Sequence, residues 1–195
     1  LEMQNDVKRV NPFHWFLEFP EIYRAQREDP ISKTHQSRAW MDAFVGNPPF
    51  GGKNNMAGAN PPAYLPWLGM QYEGSHGNAD YCAYFFRRCF ELLGTHGVLG
   101  LIATNTIAQG DTRASGLRWL RQNKCTLFEA RRRYKWPGEA AVTVSVVHTC
   151  KGKYGGVRRL DGRVVDVITA YLFHAGTSDD PVRVRENLGV AFQGP

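Results

Sequence analysis

Residues 1 to 45 contain no glycine, the four cysteines form no Cys-x-x-Cys pair, and no apolar run approaches the roughly 20 residues that a membrane span needs. Each absence closes off a class. Without glycine, the first 45 residues cannot bring backbone close to a phosphate or a cofactor in a tight turn. Cys82, Cys89, Cys125 and Cys150 lie far apart, so their spacing predicts neither a zinc site nor a disulfide framework, and a reducing cytoplasm is the expected compartment. The six histidines are scattered without ligand spacing, and no metal is expected. Leu1 to Val10 is charged and polar, unlike the apolar stretch of a signal peptide. No internal repeat is visible. The first residue is Leu rather than Met, which points to a piece of something longer.

What is present suits one globular unit: 195 residues, 43% hydrophobic, with a mean hydropathy of -0.41. The net charge of +6 is unevenly spread. Residues 113 to 163 hold 13 Lys or Arg against Glu129, Glu139 and Asp161, a local +10 that leaves -4 for the remainder. The densest part is Arg131, Arg132, Arg133 and Lys135, interleaved with Tyr134 and Trp136, a mixture suited to phosphates and stacked bases. A solvated basic loop is the other reading.

Along the chain, residues 13 to 28 predict a short aromatic helix broken near Pro20, and Asp42 to Gly46 a short strand that stops at Asn47-Pro48-Pro49-Phe50. Gly51 to Gly77, rich in Gly, Asn and Pro, reads as a long functional loop. Asn78 is the expected N-cap of an amphipathic helix carrying Cys82, Phe85, Phe86, Cys89, Phe90 and Leu93, stopped by Gly94. Val98 to Ala103 is apolar on both faces, as in a buried parallel strand. A second helix is expected over Thr112 to Lys124, a short strand at Leu127 and Phe128 before the basic loop, and a strand over Ala141 to Thr149. Asp161-Gly162 between apolar runs predicts a hairpin. The order is that of an α/β protein.

Asn47-Pro48-Pro49-Phe50 is the constellation that carries chemistry. It stands at the carboxyl end of a strand in an α/β sheet, where ligands bind; the bland alternative is a rigid Asn-Pro turn. An exocyclic amine on an aromatic ring is a poor nucleophile because its lone pair is delocalised. The Asn47 side-chain oxygen and the Pro48 carbonyl are two acceptors for its two N–H donors, and the prolines fix φ so that the carbonyls stay in place. Phe50 offers a face for a flipped base, worth roughly 1 to 3 kcal/mol of stacking. No general base is needed at the outset, because the amine becomes acidic only once methylated.

Phe44-Val-Gly-Asn-Pro-Pro-Phe-Gly51, Phe13-His-Trp, Glu18-Phe-Pro-Glu21, Asn78-Ala-Asp80 and Gly97 through Asn105 together resemble the adenine-specific DNA methyltransferases of restriction–modification systems, in particular the long single-chain type II enzymes that carry methylation and cleavage together. The resemblance covers roughly residues 12 to 150. It implies a Rossmann-like sheet, S-adenosylmethionine as methyl donor, and transfer to N6 of a flipped adenine in double-stranded DNA. Asn47, Pro48, Pro49 and Phe50 match the catalytic tetrapeptide. Asp80 and Ala103-Thr-Asn105 match later motifs that wall the pocket. The family's Phe-x-Gly-x-Gly donor turn has no counterpart before the tetrapeptide, and Phe173-His-Ala-Gly-Thr177 is a poor match for a permuted one. The expectation is therefore the second half of a methyltransferase domain over residues 1–150, without its donor loop. A hairpin and a linker toward a target-recognition domain follow over 151–195, and the chain alone should be inactive.

Lys53 follows the tetrapeptide and is a candidate phosphate contact, as are Arg131, Arg132, Arg133 and Lys135; for Lys53 a merely flexible loop is an equal reading. Cys82 and Cys89 read as core, Trp67 and Tyr72 as anchors of their loop. Methylation of a protein glutamine amide or an RNA amine, and a noncatalytic nucleic-acid-binding module, remain the alternative functions.

Overall fold

The computed structural model describes residues 13–24, 33, 40–136 and 142–178. Its framework is a six-stranded sheet of order β1-β2-β4-β3-β5-β6, built from β1 (Met41–Gly46), β2 (Leu93–Thr104), β3 (Cys125–Lys135), β4 (Thr143–Lys151), β5 (Arg158–Leu160) and β6 (Arg163–Val165). β1 and β2 pair in parallel, β4 runs against both β2 and β3, β5 lies parallel to β3, and β6 returns antiparallel to β5. Four strands thus share one direction, with reversed strands only at β4 and β6.

The aromatic segment forms α1 (Trp15–Glu18) and α2 (Pro20–Arg24), separated at Phe19, with Pro20 at a first helical position where its missing N–H costs nothing. Trp15 meets Phe44 of β1 edge-on at 5.3 Å, tying this segment to the sheet. The stretch 51–77 is not the open loop that its Gly, Asn and Pro content predicts. It holds α3 (Lys53–Ala59) and α4 (Tyr64–Gln71), each anchored by one fully covered side chain, Met56 and Leu68. Pro66 is tolerated in α4 because it lies in the first turn, where N–H groups lack intrahelical partners.

α5 (Tyr81–Leu92) is amphipathic as expected, with Cys82, Phe86, Cys89 and Phe90 buried in the core against Leu99 and Leu101 of β2. Its N-cap is Asp80, whose carboxylate accepts from the Cys82 N–H at 3.1 Å, and not Asn78. The helix ends at Leu92. Gly94 lies within β2, in a stretch where the β1 register slips between Met41 and Ala43, and His96 takes a positive φ of 66° there. The second helix occupies Gly110–Gln122 in three consecutive pieces: α6 (Gly110–Arg113), a π-type turn (Ala114–Arg118) and α7 (Trp119–Gln122). Gly116 sits in the wide turn because a Cβ there would come within 3.2 Å of Ala83 on α5.

The basic residues are not in a loop: β3 runs through Arg131 to Lys135. Leu127 and Ala130 bury the first half of the strand, and β4 supplies the ladder that carries it on. The register slips between Arg131 and Tyr134, so Arg132 and Arg133 bulge out of the ladder, Arg133 at φ 49°. The predicted hairpin is β5 and β6; Asp161 (φ 52°) and Gly162 (φ 80°) both adopt the left-handed conformation of its turn. The linker segment from Val182 to Pro195 lies outside the described residues. No described helix is long and apolar enough to cross a membrane.

Candidate active site

β1 and β2 are parallel neighbours, paired Val45 to Gly100 and Gly46 to Leu101, so their carboxyl ends emerge side by side. At this edge Asn47 leaves β1 and Thr104-Asn105 leaves β2. Two consecutive prolines have no N–H to continue the ladder, which is why β1 stops at Gly46. Pro48 is buried, whereas Asn47 and Pro49 are exposed. The Asn47 amide makes no hydrogen bond to any described residue, leaving its oxygen open to a ligand. Phe50 is 38% exposed and stacks on no other described ring.

The turn is fastened immediately after Phe50. The Gly51 N–H donates to both oxygens of Asp80, at 3.2 and 3.3 Å, while the Gly51 carbonyl accepts from the Tyr81 N–H at 3.0 Å. Asp80 is only 7% exposed, and its own N–H donates to the Thr112 hydroxyl at 3.1 Å. The Asp80 carboxylate thereby joins the tetrapeptide to the start of α5, and the Asp80 backbone N–H ties both to α6. Gly51 is closely packed: a Cβ would lie 3.2 Å from the Tyr81 ring and 3.3 Å from Asn55, so a larger residue needs one of them to shift. Asn60 in turn donates to the Tyr81 hydroxyl.

On the β2 side, Thr104 shares a hydroxyl hydrogen bond with Thr106 at 2.7 Å and approaches the Cys82 sulfur at 3.7 Å. Burial pushes the Cys82 thiol up to about 12, and the neighbouring Asp80 carboxylate adds to the rise, so this sulfur is no nucleophile at neutral pH. Asn105 accepts from Ser145 on β4 at 3.2 Å. Beyond it opens a cavity of about 570 Å³, lined among others by Gln109, Ser145, Arg133, Asp161 and Phe173.

The structure does not gather all expected residues into one place. Asn47, Pro48, Pro49 and Phe50 form one turn, with Lys53 exposed at the start of α3 just beyond it. Arg131, Arg132, Arg133 and Lys135 lie three strands away, on the exposed end of β3. Arg132 is already engaged: Asp161 accepts from its Nη2 and Nε at 2.8 Å each and from its backbone N–H at 2.7 Å. The Arg131 guanidinium lies 5.9 Å from the Tyr134 ring. Tyr72 anchors its segment, packed on Tyr84 at 5.4 Å with Arg87 above it at 5.2 Å; Trp67 stacks on Tyr64 at 5.7 Å. Thr112 and Ser145 were not singled out from sequence, and a lone Thr or Ser in an apolar segment carries no signal for such a role.

The Eco57I restriction-modification methylase model matches residues 2–129, about two thirds of the chain. The chain belongs to that family. Its fold is that of the type IIL restriction–modification enzyme MmeI, solved in complex with DNA: the TM-score is 0.57 at 18% identity, over 69% of this chain and 20% of that one. The M protein of the type I restriction enzyme EcoKI aligns at 20% identity and a TM-score of 0.42, over 57% of this chain and 21% of its own. A Listeria monocytogenes protein assigned as a class I S-adenosylmethionine-dependent methyltransferase aligns at 10% identity and 0.46, over 65% and 36%. The methylase segment thus spans about a fifth of the length of the two restriction–modification proteins. No curated protein matches the sequence. The family match and the likeness to MmeI establish the methylase family and a mixed α/β fold for this chain.

Proposed function

We propose that this segment is the base-binding side of a DNA methyltransferase that transfers a methyl group from S-adenosylmethionine to N6 of an adenine flipped out of double-stranded DNA. The observation that carries the proposal is the Asn47–Phe50 turn: an unpaired Asn amide oxygen at the carboxyl end of a parallel strand, beside an exposed aromatic face. In this reading the Asn47 oxygen and the Pro48 carbonyl accept the two N–H groups of the adenine amine and localise its lone pair. The ring of Phe50 stacks on the extruded base. Lys53, Arg133 and Lys135 hold phosphates, and the activity belongs to the cytoplasm.

The donor does not fit the described residues. A glycine-rich turn that would let backbone approach the cofactor is missing from residues 1 to 45, and among the described residues β1 pairs only with β2 and forms an edge of the sheet, with Val45 90% exposed. The proposal therefore places the donor site on residues beyond those described, added along β1 in the parent chain, with a target-recognition domain beyond the hairpin. No step is derived through the donor.

In the parent protein, tritiated S-adenosylmethionine and duplex DNA should label the wild type, while Asn47→Ala should lose activity and retain DNA affinity. An active Asn47→Ala variant removes the catalytic reading and leaves the noncatalytic DNA-binding module. Transfer to a glutamine peptide or RNA in preference to DNA favours the alternative substrates. Calorimetry of this segment alone should show negligible donor affinity; micromolar binding would overturn the half-domain reading.

A further inference from the structure

The residue that aims the tetrapeptide stands outside it. Asn47 and Phe50 make no described side-chain hydrogen bond or ring contact of their own, so their placement depends on what holds the backbone on either side. Upstream it is the β1–β2 ladder, which ends at Gly46. Downstream the fastening is the clasp between Gly51 and Asp80-Tyr81: two oxygens of one carboxylate on the Gly51 N–H, and the Tyr81 N–H on the Gly51 carbonyl. Asp80 Oδ1 serves both Gly51 and the helix cap at Cys82, so the turn is tied to the first residues of α5, a helix locked in the core by Cys82 and Phe86. The Thr112 hydroxyl, accepting from the Asp80 N–H, fixes the backbone from which the carboxylate projects.

From this geometry we infer that Asp80 is a positioning residue of the methyl-transfer site, acting through Gly51 to hold Asn47 and Phe50 in register with the target base. The inference rests on the proposed catalytic reading of the tetrapeptide. A helix cap alone does not require it: a Ser at an N-cap also accepts from the first turn, but its side chain is one atom shorter, so an oxygen that caps Cys82 no longer reaches Gly51. Asn keeps an acceptor in the Oδ1 place and turns an NH2 toward the Gly51 N–H where Oδ2 now lies 3.3 Å away, preserving one of the two contacts.

The test compares Asp80→Ser, Asp80→Asn and Asn47→Ala in the full parent protein. The readouts are steady-state methylation of duplex DNA, DNA affinity, thermal midpoint, and the fluorescence of 2-aminopurine placed at the target adenine. The Ser variant should stay folded and bind DNA like the wild type, with a lowered thermal midpoint from the unpaired Gly51 N–H, while its kcat falls about 10- to 100-fold, the scale of misplacement by about an ångström. KM for DNA should stay unchanged, and the 2-aminopurine signal should alter because the extruded base is no longer held against Phe50. The Asn variant should recover most of the lost kcat. A Ser variant with kcat within about twofold of wild type, or an Asn variant no better than Ser, overturns the inference while an inactive Asn47→Ala leaves the methyltransferase reading standing. If Asn47→Ala stays active, both fall. Should the Ser variant unfold, the Asn variant carries the test through the one contact it loses: a partial kcat loss of about two- to tenfold at unchanged melting supports the inference, and kcat indistinguishable from wild type refutes it.

Discussion

Arg132 and Arg133 are adjacent, both on the β3 bulge, yet they should differ sharply as DNA contacts. Arg132 is forked onto Asp161 by two bonds of 2.8 Å, with the backbone N–H adding a third at 2.7 Å, while Arg133 is exposed and bonds to no described residue. Each phosphate neutralised contributes about 0.9 to the slope of log affinity against log salt, so one contact amounts to about a 3.5-fold loss of affinity for a fourfold rise in salt. Arg133→Ala in the parent protein should flatten the slope by about 0.9 units. Arg132→Ala should flatten it by less than half as much, because its guanidinium already has an anion. It should also cost little stability, since both partners are more than a third exposed and exposed pairs contribute about 0.2 to 1 kcal/mol. Asp161→Ala frees Arg132 and should steepen the slope. Fluorescence anisotropy of a labelled duplex between about 50 and 200 mM salt reads all three. Equal flattening by Arg132→Ala and Arg133→Ala, or no steepening with Asp161→Ala, refutes the reasoning.

Met56→Ala removes a fully covered side chain from the core under α3 and should cost about 2 to 5 kcal/mol in chemical unfolding; less than about 1 kcal/mol would mean that α3 is not anchored there. Burial raises all four thiols, those of Cys82, Cys89 and Cys125 to about 12, so a disulfide reagent at pH 8 should react with the native chain far more slowly than with the unfolded one, and equal rates would contradict the buried placement. The same shifts fix a pH trend. Below about pH 9 the thiols are protonated in both states, whereas between 9 and 12 only unfolded thiols ionise, so the urea midpoint should fall as pH rises through that window; a rising midpoint refutes the assignment. Arg87 donates to the Glu73 carbonyl with two nitrogens at 3.1 Å and covers the Trp119 ring at 4.2 Å, so Arg87→Lys should cost about 1.5 to 3 kcal/mol through the lost fork, and an unchanged thermal midpoint would show that the charge alone suffices.

Local chemistry was readable in the sequence wherever one residue type answers one backbone demand. Asp161-Gly162 is such a case, because both positions need a positive φ, and Pro48-Pro49 is another, because no ladder survives two missing N–H groups. What could not be read depended on partners distant in sequence. Met56 is an isolated apolar residue among Asn, Ala and Gly, and Leu68 stands in a stretch apolar on every side, with Tyr64, Leu65, Trp67 and Met70, so neither has the period that would announce α3 and α4 before the core that receives them is known. Charge made Arg131 to Lys135 look like a loop, yet the strand is decided by the β4 ladder alongside it and by Leu127 and Ala130 beneath.

Asn78 and Asp80 are both good caps by type, and the choice between them turns on a residue 29 positions away: Asp80 is the one whose carboxylate also receives Gly51. The same fact separates the two levels of the candidate site. The groups proposed to touch the base, Asn47 and Phe50, stand in a four-residue string that sequence can expose, whereas their alignment is set by a clasp that exists only once α5 has packed on β2. Changes in the core beneath Asp80 should therefore reach the chemistry through Gly51, even when the tetrapeptide itself is intact.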